Sequence, residues 1–161
     1  MNEGDAPLLS AGDANTAPLL SAELLSFDAA QGAGLYAVTL ATEAPRTTAE
    51  VPGFAQALLS ALPSLKLHRC DNDAHASLQV ELGSTEPAHA FEHVVLEMLA
   101  MRRSARTGRE GATGWSKASA RVGEYRVRVL GFQDETEARE VGVEAARLIT
   151  QLLNEQPFSR V

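Results

Sequence analysis

Hydrophobic and polar positions alternate strictly along Glu124-Tyr-Arg-Val-Arg-Val-Leu130, the period of a strand with one wet face. A second strand is predicted over Gly34-Leu-Tyr-Ala-Val-Thr-Leu-Ala41, which is rich in β-branched and aromatic residues, and a first over Leu24 to Phe27. Ser77-Leu-Gln-Val-Glu-Leu82 also alternates and reads as a half-buried strand, and Trp115 to Ser119 reads as a short one. Elsewhere the period lengthens. Phe54, Leu58, Ala61 and Leu62 recur at helical spacing and Pro63 ends that helix. A helix is expected from near Thr85 to Arg103, with Pro87 in its first turn and an apolar arc of Phe91, Val94, Val95, Met98 and Leu99. Val141, Ala145, Leu148, Ile149 and Leu152 mark a last helix, Glu137 to Leu153, capped by Thr136. Thr42 to Pro52 and Arg102 to Gly114 read as loops.

Strands interspersed with helices describe an α+β fold: a single domain whose largely antiparallel sheet carries about three helices on one face. Ala6-Pro-Leu-Leu-Ser-Ala11 recurs as Ala17-Pro-Leu-Leu-Ser-Ala22. A repeat this short is no solenoid unit, so residues 1–22 are expected to form a flexible leader, disordered through residue 20, and residues 23–161 the domain.

At 161 residues and 45% hydrophobic content the chain is long enough for one real core. Its net charge of −7 argues against nucleic acid, because no basic surplus exists to replace condensed counterions. Arg102, Arg103, Arg106 and Arg109 form a local basic cluster, which suits either a helix C-terminus or a small anion. Cys70 is the only cysteine, so no internal disulfide and no thiolate metal cluster is available. A reducing cytoplasm is the expected compartment. No run approaches the roughly 20 apolar residues of a membrane span, and Asn2, Glu3 and Asp5 are unlike a secretory signal.

One segment carries candidate chemistry. Ala88-His-Ala-Phe-Glu-His-Val-Val-Leu-Glu97 holds two imidazoles four residues apart with a carboxylate between them. On a helix His89, Glu92 and His93 share one face. His-x-x-Glu-His is the inverted zincin pattern, in which the histidines hold zinc and the glutamate takes a proton from water. The competing reading is the solvated arc of an ordinary helix. A catalytic zinc normally has three protein ligands. Glu97 is about 12 Å along the axis from His89, too far to share a metal with it, and is expected to orient His93 or face solvent. Glu137, or Glu135, reaches the site if the last helix packs beside this one.

The succession Val51-Pro-Gly-Phe54, Leu58-Leu-Ser-Ala-Leu-Pro-Ser-Leu65, His68-Arg-Cys70, His89 to Glu97, Thr113-Gly-Trp-Ser-Lys117 and Tyr125-Arg-Val-Arg-Val129 resembles the N-terminal domain of cyanophycin synthetase, over residues 34 to 153. The resemblance implies a module that holds the aspartate-arginine polymer or assists its synthetase. In some members it implies a zinc site that cuts polymer into primers, with His89 and His93 as ligands and Glu92 as base. A third possibility is a structural domain docking against synthetase subunits. The ATP-grasp and Mur-ligase-like domains of the full enzyme are not expected here, and the sequence has no Gly-x-x-x-x-Gly-Lys-Ser/Thr loop, so no nucleotide is expected. Where the family usually has a Glu-Tyr pair and an acidic run after the tyrosine strand, this chain has Leu130-Gly-Phe132 and Gln133-Asp-Glu-Thr-Glu137. Trp115, Lys117 and Arg126 are candidate polymer contacts. Trp115 suits a core equally well, and Arg126 with Arg128 suits a solvated strand face. His68 beside Cys70 has no visible orienting partner and is expected to be structural or on the surface. His75 is expected in a loop.

Overall fold

The computed structural model describes residues 18–69, 77–103, 114–117 and 122–154. Four strands, β1 (Leu20–Asp28), β2 (Ala33–Leu40), β3 (Gly114–Lys117) and β4 (Glu124–Leu130), form one antiparallel sheet in the order β1-β2-β4-β3. The helices are α1 (Phe54–Ala61), α2 (Leu78–Glu81), α3 (Pro87–Arg103) and α4 (Glu135–Asn154), with 3-10 turns at Thr48–Glu50 and Pro63–Leu67. The expected α+β class is therefore the observed one.

The sheet has one wet face and one covered face, as its alternation requires. Tyr36 pairs with Val127 and Val38 with Tyr125, and these four side chains are buried while Arg126 and Arg128, at the intervening positions of β4, are exposed. Helix α4 packs along β1, burying Val141, Ala145, Ile149 and Leu152. Tyr36 joins sheet to helices: its hydroxyl donates to Ala138 O at 2.6 Å and its ring meets Phe91 of α3 edge-on at 5.4 Å. Gly142 permits this approach, since a Cβ there would stand 2.5 Å from the Tyr36 ring. The β1–β2 turn needs Gly32 at φ +63°, whose carbonyl accepts from the amides of Gly131 and Phe132 at 3.0 Å each.

Three local expectations are corrected. Ser77 to Leu82 is not a strand. Only Ser77 makes a bridge, to Arg69, and Leu78–Glu81 is a helical turn. A strand would turn Leu78, Val80 and Leu82 to one face, whereas Leu78 and Leu82 are fully buried and Val80 is 56% exposed, the signature of a four-residue period. The cap of α4 is Asp134 rather than Thr136, because Asp134 Oδ1 accepts from Glu137 N at 2.8 Å, and the helix starts two residues earlier than expected. Strand β1 starts at Leu20, three residues inside the expected leader. Leu20 is buried and its amide donates to Thr150 Oγ1 at 3.2 Å. The first repeat copy, Cys70, His75, Arg106 and Arg109 lie outside the described residues. No helix among the described residues is long and apolar enough to cross a membrane.

Candidate functional site

Pro87 stands at the first position of α3, where its missing N–H is not needed. The helix start is clamped from the side: Thr48 N donates to Thr85 O at 2.8 Å, Thr85 N to Thr48 Oγ1 at 3.0 Å, and Thr48 Oγ1 to Leu82 O at 2.8 Å. From Pro87 to Leu99 every residue of α3 is buried. The clean division into apolar and solvated arcs is thus absent. Phe91, Val94, Val95, Met98 and Leu99 enter the hydrophobic core, and the polar arc is covered as well.

That arc is the candidate site. His89, Glu92 and His93 are each 5% exposed, and each offers a ligand atom within 4.8 Å of the others. Thr85 Oγ1 lies 2.9 Å from His89 Nδ1. His93 Nδ1 lies 3.1 Å from Nδ1 of His68, whose Nε2 lies 2.7 Å from Glu97 Oε2. His68 and Glu97 are each 2% exposed. Five titratable side chains are therefore gathered inside the domain, at a desolvation cost that packing alone gives no reason to incur.

Burial sets their protonation. It holds the pKa of His93 down at about 3, helped by the neighbouring His89 and His68 rings. The His89 pKa is also lowered, chiefly by burial, with Glu81 and Glu86 opposing the shift. Both rings are neutral at pH 7, the form that binds metal. The 3.8 Å approach of Glu92 Oε1 to His93 Nε2 is accordingly not an ion pair. Two neutral imidazoles and a carboxylate form a donor set that fits a divalent cation such as zinc. Glu81, within electrostatic reach of His89, has a buried Oε2 with no hydrogen-bond partner.

The other sequence candidates are placed elsewhere. Glu137 lies in the first turn of α4, where its carboxylate accepts from Gln133 N at 3.1 Å, and Glu135 pairs with Arg139 at 2.7 Å. The ligand set of His89, Glu92 and His93 contains neither of them. In β3 Trp115 is paired with Val127, Ser116 with Arg126 and Lys117 with Tyr125. Lys117 and Arg126 are exposed but of opposite parity, on opposite faces of the sheet. Arg102 of the basic cluster pairs with Glu140 and Glu144 of α4, at 3.1 and 3.7 Å. Sequence reasoning missed His68. Glu97, expected to orient His93 or face solvent, is buried and meets His68, which meets His93. The one available signal was an imidazole directly after a proline-opened turn; its meeting with α3 is a long-range contact.

The model of the cyanophycin synthase-like N-terminal domain family matches residues 35–154, which include every residue of the buried polar cluster. Cyanophycin synthetases of Trichormus variabilis and of a Nostoc species are each 31% identical to the chain over 116 residues. The match covers 71% of this chain and 12% of either relative, so the chain spans about an eighth of their length. The protein belongs to the cyanophycin synthase-like N-terminal domain family.

Proposed function

We propose that this domain is a cyanophycin-handling module that binds the aspartate-arginine polymer or presents it to a synthetase. Family membership over residues 35–154 carries the proposal. Exposed Arg126 and Lys117, on opposite faces of the sheet at its β3 edge, are assigned to polymer carboxylates, and Trp115 of β3 is the third candidate. Co-sedimentation with insoluble cyanophycin tests it. The wild type is retained and K117E/R126E is retained several-fold less; a wild type that stays in the supernatant rejects the proposal.

A second reading, metal-dependent cleavage of the same polymer, is favoured by the convergence of His89, Glu92 and His93. In it the two imidazoles would hold the ion and Glu92 would stand beside them as the base. A zinc ion there would supply Lewis acidity and lower the pKa of water. Glu92 takes the proton from the attacking water, and its position one helical turn from His89 keeps it beside both imidazoles. Metal analysis decides: about one equivalent of zinc in the wild type, lost in H89A, supports this reading, and a metal-free wild type after zinc loading removes it.

A further inference from the structure

We propose that Glu97 and His68 form an orienting relay that fixes His93 with its proton on Nδ1 and its Nε2 lone pair turned toward His89 and Glu92. The inference rests on the metal-site reading of those three residues and adds two positioning residues to it.

The order of protons follows from the contacts. Glu97 Oε2 is 2.7 Å from His68 Nε2, and His68 Nδ1 is 3.1 Å from His93 Nδ1. A carboxylate only accepts, so His68 Nε2 donates to Glu97. In the relay His68 is neutral, so its one proton is on Nε2 and a lone pair is left on Nδ1; a doubly protonated His68 would put the His93 proton on Nε2, the outcome that overturns the relay. Two facing imidazole nitrogens can hydrogen-bond only if one is protonated, so His93 Nδ1 is the donor. A neutral His93 then has its lone pair at Nε2, the atom 3.8 Å from Glu92 Oε1.

The scaffold favours this relay over a chance contact. Glu97 follows His93 by four residues on α3, so both side chains lie on one face, and His68 bridges them from outside the helix. The His68 backbone is held on both sides: its N–H donates to Leu65 O at 3.0 Å and its carbonyl accepts from Leu78 N at 3.2 Å. With His68 and Glu97 each 2% exposed, water does not compete for the relay's hydrogen bonds. Both ring nitrogens of His68 are engaged within the relay, so His68 acts through His93 and is not itself a ligand. Partners of this kind fix the tautomer and raise the basicity of metal-binding histidines.

Long-range ¹H–¹⁵N correlation spectra of the metal-free, ¹⁵N-labelled protein at pH 8, where an unperturbed imidazole is neutral, test the relay. The expected result is His93 protonated at Nδ1 and bare at Nε2. In E97Q the amide can donate as well as accept, so His93 should become a mixture of tautomers. Zinc affinity, measured by chelator competition, should fall by about 10- to 100-fold. A wild-type His93 protonated at Nε2 overturns the relay, and so does an E97Q protein with unchanged tautomer and zinc affinity. A wild type with the expected tautomer that binds no zinc supports the relay and rejects the metal-site reading. Should E97Q fail to fold, the wild-type spectrum still decides.

Discussion

His93 is the side chain whose environment differs most from what its sequence context announces. Its imidazole titrates near 6.5 when unfolded and at about 3 in the native protein. Between those values the unfolded chain binds a proton that the native state excludes, so stability rises with pH there and is lost as pH falls below 6.5. The contribution is fully present above 6.5. For the metal-free protein the slope from this one group is up to about 1.4 kcal/mol per pH unit. His93→Gln should flatten the profile of urea midpoints between pH 4.5 and 6.5, and parallel profiles would show that His93 is not buried neutral. Glu92 makes a different prediction. If it removes a proton from water, Glu92→Gln should slow polymer shortening by about 10²- to 10⁴-fold while cyanophycin retention stays unchanged; full activity in the variant would exclude Glu92 as the base.

At the scale of elements, two features of α4 set its seat. Gly142 lies under the Tyr36 ring, where a methyl group would stand 2.5 Å from carbon. Alanine is the better helix former by about 1 kcal/mol, but overpacking costs about 1–3 kcal/mol. Gly142→Ala should therefore lower the melting temperature, and a rise would mean that Tyr36 yields freely. Asp134 caps the helix, so Asp134→Ala should cost about 1 kcal/mol whereas Thr136→Ala should change stability by less than about 0.5 kcal/mol. Equal losses in chemical denaturation would restore Thr136 as the cap. The turn at Leu78–Glu81 shows why alternation misled. Leu78, Val80 and Leu82 satisfy a period of two and Leu78 with Leu82 a period of four; only the packing of both leucines into the core, with Val80 left in solvent, chooses between them.

Across the whole molecule the two functional readings respond differently to salt. Contacts through exposed Lys117 and Arg126 weaken as the screening length falls from about 10 Å at 0.1 M to about 3 Å at 1 M. A zinc ion among residues 5% exposed is little screened. Polymer retention should therefore drop at 1 M salt while zinc content holds, and retention that ignores salt would point away from Lys117 and Arg126. The sequence by itself determined the α+β class, the β2 and β4 strands, the three longer helices, the His89-Glu92-His93 face and the family resemblance. These depend on local period, on proline and cap positions and on motif order, all of which are written within a few residues. Only the tertiary structure decided that the polar arc of α3 is buried, that Leu20 belongs to the sheet, that Glu137 accepts from Gln133 N in the first turn of α4, and that His68 stands between His93 and Glu97. Apart from the local Glu137 contact, each of these is a contact between segments distant in sequence or a choice between two local periods, and burial of one chain segment against another is what settles both.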